Sequence, residues 1–337
     1  MARVADDARV LRQVAAAALD PDRPLMAHLI VTRRCNLQCG YCFEYDRHAA
    51  PVPRATLEQR LDHLARLRVV FVTLTGGEAL LHPDIVALVE GARARGLIPV
   101  MNTNGYLLTR ERIEALDRAG LFAMQISVDN LAPNRTSAKS LVPLRPKLRL
   151  LAAHAGFRLR INTVLGGGPP DEAVAVARAV LALGFDAKCS LVRDDKGAVR
   201  PLDGASRQAY QQIRSLGRRA PAYLSEDFQL ALAERGQVAW KCRSGARYFM
   251  VGEDGRVSLC ESSWGTPGIP LEDYTVEHIR HFAAMPKSCA ATCAVAYAHQ
   301  ASRVDRLRPQ AGPTLSVDKR SWGSEIIPAA RLRRRAA

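Results

Sequence analysis

The chain has 337 residues, 48% of them apolar, and a formal net charge of +15. That length accommodates one large domain and a smaller one, and no run reaches the ~18 apolar residues of a membrane-spanning helix. Only seven of the 48 basic residues are Lys, and no basic run is interleaved with aromatics, so the charge reads as an Arg-rich composition rather than as a single-strand nucleic-acid surface.

Residues 1–25 read as an N-terminal helical extension. The opening "MARVADDARVLRQ" mixes both charge signs and has no apolar stretch of a secretory signal, so a cytoplasmic location is expected. "HLIVT" (28–32) is the first apolar, β-branched run, and a cysteine-rich loop follows it. A helix is expected from Thr56, where Thr56 and Gln59 offer a capping box, with Leu57, Leu61, Leu64 and Leu67 on one face. "VVFVTLT" (69–75) leads to a helix over 84–95 stopped by Gly96. "IPVMN" (98–102) leads to a helix from Thr109 to Ala119, closed by Gly120. "FAMQIS" (122–127), "RLRINTV" (158–164) and "DAKCSLV" (186–192) are each followed by helical patterns, near 144–155, 171–183 and 205–217.

Six strand–helix units at a period of about 25–40 residues define a parallel α/β architecture. Six fall short of the eight of a closed barrel. The expected fold is therefore a partial (β/α)6 TIM-like barrel over 26–220, with its site at the C-terminal ends of the strands. A small α+β cysteine-rich domain is expected over 221–300. It contains a hairpin in "YFMVGEDGRVSLC" (248–260), turning at Asp254-Gly255, and a short helix over 275–284. Beyond 300 the periodicity fades, and residues 301–337, with nine Lys/Arg against three Asp/Glu, read as a basic, mobile tail.

Seven of the eight cysteines form two groups. In a chain without an export signal this points to metal binding rather than disulfides. The first group, "CNLQCGYC", places Cys35, Cys39 and Cys42 at Cx3Cx2C. Three thiolates on a four-iron cube leave one iron open to an amine and a carboxylate; part of a zinc site is the alternative.

With Tyr41 as the aromatic of the loop, this motif resembles that of the radical S-adenosylmethionine (SAM) superfamily, and the resemblance covers about residues 26–200. It implies that the open iron of a [4Fe–4S] cluster binds SAM, which is cleaved reductively to a 5′-deoxyadenosyl radical that takes hydrogen from a substrate. It implies a flavodoxin- or ferredoxin-type reductant. Further positions match in order. Gly76, Gly77 and Glu78 stand at the end of the second strand, where the family binds the SAM amino group. Asn104 ends the third strand, Ser127 and Asp129 the fourth; such groups contact ribose and the methionine carboxylate. Val164 and Gly166 match the segment that packs on adenine. His82 and His154 are read as structural or surface residues.

Cys242, Cys260, Cys289 and Cys293 form the second group. The first pair, with Gly255 between, resembles the opening of the SPASM/twitch extension that holds auxiliary clusters. That extension carries seven cysteines in full, so four imply one auxiliary [4Fe–4S] cluster for electron transfer; a structural zinc with four thiolates fits the same count. Cys189 is left over. If it points into the barrel its thiol can donate hydrogen to a substrate radical; a small buried residue is the other reading.

The resemblance leaves the substrate open between a peptide and a small molecule undergoing oxidation or rearrangement. About 25 residues before the first strand are too few for a leader-binding winged helix. A molybdenum-cofactor enzyme of similar size and charge ends in Gly-Gly, whereas this chain ends "LRRRAA". The reading outside this class is a non-enzymatic metal-binding or nucleic-acid-binding protein, against which "GGE" and the barrel-like repeat argue.

Overall fold

The computed structural model describes residues 2–42, 45–193, 197–199, 201–216 and 228–307. The expected domain boundary near 220 and residues 308–337 of the expected 301–337 tail lie outside the described residues. Residues 301–307 are no mobile tail: they continue a helix into a 3-10 turn at Val304–Leu307, with Ala301, Ser302 and Val304 buried.

Helix α1 (Ala2–Leu19) precedes the barrel strands β1 (Met26–Thr32), β2 (Phe71–Gly76), β3 (Ile98–Thr103), β4 (Ala123–Ser127), β5 (Arg158–Leu165) and β6 (Asp186–Leu191). They alternate with helices α2 (Arg54–Arg66), α3 (Ile85–Ala94), α4 (Arg110–Arg118), α5 (Leu141–His154), α6 (Pro170–Ala182) and α7 (Gly204–Leu216). Every neighbouring pair of these strands is parallel, as right-handed crossovers dictate.

Two helix starts differ from expectation. Helix α2 begins at Arg54, with Pro53 at its N-cap and no side-chain cap. Thr56 therefore lies inside the first turn and forms no capping box; the Pro53 carbonyl accepts from Leu57 N at 3.1 Å. Helix α5 starts at Leu141 rather than near 144, behind Ser140. Pro143 is tolerated there because first-turn amides have no helical partner to lose. By contrast, Thr109 caps α4 as its sequence suggests, accepting from Arg112 N at 3.2 Å.

The strands obey a period of two. Leu29, Val31, Val72, Leu74, Met101, Met124 and Ile126 face the helices and are buried with Leu57, Leu61 and Leu64 of α2. The other parity faces inward and is polar: Asn102, Gln125, Asn162, Lys188 and Ser190 line a cavity at the barrel mouth. Cys189 has the outward parity. It packs with Leu165, Ala173, Ala177 and Tyr210 in the helical layer, which corrects the hydrogen-donor reading.

The C-terminal part continues the same sheet. After α8 (Phe228–Arg235) come β7 (Tyr248–Val251), β8 (Arg256–Ser258) and β9 (Pro267–Pro270), then α9 (Val276–Ala284) and α10 (Ala296–Arg303). Strand β7 pairs parallel to β1, Met26 opposite Tyr248, so the sheet order is β6-β5-β4-β3-β2-β1-β7-β8-β9. The β7–β8 hairpin turns at Gly255, whose φ of +80° suits glycine, closed by Gly252 N to Arg256 O at 2.9 Å. Among the described residues no helix is long and apolar enough to cross a membrane.

Candidate functional site

The cysteine loop leaves β1 and is pinned to the end of β2. Gly77 N donates to Thr32 O and Glu78 N to Arg34 O, both at 2.9 Å. The pair of glycines makes this approach possible. A Cβ on Gly76 would stand 2.0 Å from Thr32 O, and one on Gly77 would stand 2.2 Å from Arg33 O. Both are far inside contact distance, so only glycine fits. The loop is tied further by Asp46 N to Arg33 O at 2.6 Å and Gly40 N to Thr136 O at 2.9 Å. Cys39 is buried, while Cys35 and Cys42 are half-buried.

The sequence reading assigns Glu78 to an ammonium. In the structure its carboxylate is fully buried and engaged behind the cavity wall. It accepts from Thr103 Oγ1 at 2.6 Å, Asn104 N at 2.7 Å and Leu80 N at 3.0 Å. Burial pushes its pKa up against these three donors. Glu78 thus fixes the turn after β3. That turn presents Asn104, whose Nδ2 donates to Asn36 Oδ1 at 2.7 Å and lies 3.9 Å from Cys35 Sγ.

Asp129 is likewise buried and used. Its Oδ2 accepts from Tyr41 OH at 2.6 Å and Ser137 Oγ at 2.7 Å, and its Oδ1 accepts from Val164 N at 3.1 Å. One carboxylate therefore ties the aromatic of the cysteine loop to the end of β5. Ser137 Oγ also lies 3.7 Å from Cys39 Sγ. Ser127, Val164, Gly76, Gly77, Asn104 and Tyr41 line the cavity with the three cysteines. Gly166 does not line it; it turns the chain at φ +103°, with Val192 at 3.3 Å from any added Cβ. His82 is structural, its Nε2 2.8 Å from Val52 O, and half-buried His154 stands 3.4 Å from Glu114.

Sequence reasoning missed the charged groups of the same cavity. Lys139 donates to Tyr41 OH at 3.2 Å and lies 5.2 Å from the Tyr41 ring centre. Burial opposes its charge, but Tyr41, Asp129 and the thiols of Cys39 and Cys42 hold the ammonium above its usual range. Glu261 and Arg193 face each other across the mouth at 2.5 Å. Tyr248 OH donates to the same carboxylate at 3.2 Å. Lys188 was legible in principle: it has the inward parity on β6, with Ser190 two residues on.

The second cysteine group gathers beside the barrel. Cys242, Cys260 and Cys293 are buried, and Cys289 is exposed. Cys293 lies in the electrostatic field of the other three, and burial pushes its thiol up to about 12. Burial raises Cys35, Cys260 and Cys289 as well. Such thiols give up their protons to a metal cation. Donors stand ready for thiolate sulfur: Leu37 N at 3.4 Å from Cys35, and Val295 N at 3.4 Å from Cys293. Among the described residues no three Cys, His, Asp or Glu side chains converge on one ion-sized point.

A strand-end cavity beneath a three-thiol loop, on a half-barrel, defines a class of protein. Residues 29–192, just under half of the chain, match the Radical SAM superfamily. PqqA peptide cyclase of Gluconobacter oxydans is 40% identical over 114 residues, 33% of this chain and 32% of that protein. GTP 3',8-cyclase of Aquifex aeolicus is 32% identical over 176 residues, 48% of this chain and 55% of that protein. The chain thus matches between a third and a little over half of the length of these relatives. Among solved structures, Streptococcus suis SuiB bound to precursor peptide SuiA aligns with a TM-score of 0.60 at 14% identity, over 85% of this chain and 74% of that chain. Native anSMEcpe with bound AdoMet and Kp18Cys peptide gives 0.57 at 15% identity, over 84% and 96%. These two likenesses are of fold.

Proposed function

We propose that the chain is a radical SAM enzyme acting on a peptide, with Cys35, Cys39 and Cys42 holding a [4Fe–4S] cluster and SAM lying in the strand-end cavity. The observation that carries this reading is the loop itself: three thiols, fixed by Gly77 and Asp46, opening on the polar inner face of the barrel. When bound, cluster and SAM together supply hydrogen-atom abstraction. The chain's own residues do the rest. Asn104 and Ser127 present polar groups to SAM, Val164 packs on it, and Glu78 and Asp129 act from behind the wall by holding Asn104, Tyr41 and Val164. A peptide substrate is favoured by the relatives: one is named for a peptide, and both structural neighbours were solved with peptides.

The second group, Cys242, Cys260, Cys289 and Cys293, would hold an auxiliary [4Fe–4S] cluster. Cys293 lies in the field of the other three thiols, and four thiolates suffice for the four irons of a cube; a structural zinc takes the same four. A flavodoxin- or ferredoxin-type protein would supply the electron.

The test is iron and sulfide content after anaerobic reconstitution, with 5′-deoxyadenosine assayed under dithionite. Wild type should bind about eight irons and the Cys35/Cys39/Cys42 triple Ala variant about four, with SAM cleavage only in wild type. Cleavage surviving in the triple variant would overturn the reading. About four irons plus one zinc in wild type would make the second site structural.

A further inference from the structure

The charged groups on the cavity wall divide into satisfied and unsatisfied. Lys139 is bound to Tyr41. Arg193 and Glu261 are bound to each other. Lys188 lines the same cavity and, among the described residues, has no hydrogen-bond acceptor and no ion-pair partner. Its ammonium lies 5.6 Å from the Tyr297 ring centre, a contact of modest strength. Lys188 is half-buried, and an ammonium that faces a cavity without a partner is a ready site for an anion.

The surroundings say which anion. Asn162 stands opposite Lys188 in the β5–β6 register. Ser190, next on the inward face, donates to Asn162 Oδ1 at 2.7 Å. Neutral hydroxyl and amide groups with one free cation suit a monoanion. A dianion would face the Glu261 carboxylate on the same wall and find no second free cation among the described residues. A cationic group would meet Lys188 itself, with Arg160 and Arg214 adding to the same field and Glu261 opposing them.

Lys188 lies one strand beyond the groups assigned to SAM: Val164 on β5 stands opposite Ser190, whereas the cysteine loop follows β1 at the other end of the barrel strands. There the C-terminal segment, with Ala294, Ala296 and Tyr297, forms the facing wall.

We propose that Lys188 holds a carboxylate of the substrate, so that the cavity takes an acidic peptide. This rests on the radical SAM reading above and names its substrate class.

The test uses the anaerobically reconstituted full chain and three probes at equilibrium. They are N-acetyl-Gly-Glu-Gly-Gly-amide, its Gln counterpart, and N-acetyl-Gly-Gln-Gly-Gly with a free C-terminal carboxylate. A charge-assisted hydrogen bond predicts about tenfold or more tighter binding of a carboxylate-bearing probe than of the Gln amide. The Glu peptide or the free acid, whichever is tighter, identifies the side chain or the chain end as the source. Lys188→Met should bring the probes to within about twofold of one another, and Lys188→Arg should keep the preference. Equal binding of all three probes by wild type overturns the inference without any variant. So does a preference that survives in Lys188→Met. A loss of SAM affinity in Lys188→Met with the peptide preference intact would reassign the ammonium to SAM. Wild-type 5′-deoxyadenosine formation under dithionite is scored on the same preparation. Cleavage without preference sinks the Lys188 assignment alone, and absence of cleavage sinks the enzyme reading beneath it.

Discussion

At the scale of single residues, the site is built by groups that never face the cavity as well as by groups that do. Gly77 isolates one of these effects. It has no left-handed backbone to excuse it; it is glycine because a Cβ would meet Arg33 O at 2.2 Å. Gly77→Ala should therefore push the cysteine loop off β2, at a cost of about 1–3 kcal/mol, and lower the iron bound at the loop. Gly96→Ala is the control. Its φ is +82° but nothing lies within 4 Å of the added carbon, so it should lose about 1 kcal/mol of stability and no iron. Iron analysis and thermal melting of both variants check this; iron loss in Gly96→Ala would make backbone freedom, not close approach, the cause.

Lys188 gives a pH dependence. Burial first, then the positive charge of Arg160, Arg193 and Arg214, pull its ammonium down to about 7, against the opposing pull of Glu261. Tyr297 faces it from α10 as a neutral ring. The free amine is thus charged below about pH 7 and neutral above it. Affinity for the Glu peptide should be level on the acid side and fall by up to about tenfold per pH unit on the alkaline side. A bound carboxylate moves the midpoint upward. Titrations between about pH 6 and about pH 9 check the slope; affinity that rises with pH would contradict the assignment.

At the scale of elements, the sequence was legible wherever period and punctuation agreed. Thr109, with Gly120 after the helix, bounded α4 because capping is a local transaction. The inward and outward parities of β3 and β4 were implicit in "IPVMN" and "FAMQIS". Thr56 misled because a proline three residues upstream already set the first helical turn. Glu78 and Asp129 were found as site residues but not as braces, because their partners, Thr103, Asn104, Ser137 and Val164, lie on other elements. The same limit hid Arg247. This buried guanidinium precedes β7 and pairs with Asp305 at 2.6 Å. It also donates to the carbonyls of Ala17, Asp20 and Arg23 at 2.8, 2.9 and 2.6 Å. It fastens α1, the start of β7 and the end of α10 at one point. Arg247→Met should leave three carbonyls without this donor and half-buried Asp305 still paired with Arg243, costing about 3 kcal/mol. Thermal or denaturant unfolding reads that loss directly; a change below about 1 kcal/mol would mean water replaces the guanidinium.

At the scale of the whole molecule, a six-stranded barrel is open, and the C-terminal segment closes it from both sides. Strands β7–β9 extend the β1 edge, while the stretch after Cys293 reaches the β6 edge. There Ala294 N donates to Gly197 O at 3.0 Å, Gln229 Nε2 donates to Ala294 O at 3.2 Å, and Leu191 N donates to Gln229 Oε1 at 3.0 Å. Cys260 and Cys293 sit on the two arms of this strap, in one buried cluster with Ile30, Tyr248 and Val295. A metal site bound to both arms would then hold the cavity shut. Substituting Cys260 and Cys293 together by Ala in the reconstituted protein should speed amide hydrogen exchange in Leu191 and Ala294, while α3 and β3 keep their protection. That pattern would tie metal binding to closure of the substrate cavity across the width of the sheet. Unchanged exchange at Leu191 and Ala294 would assign closure to the Gln229 hydrogen bonds alone.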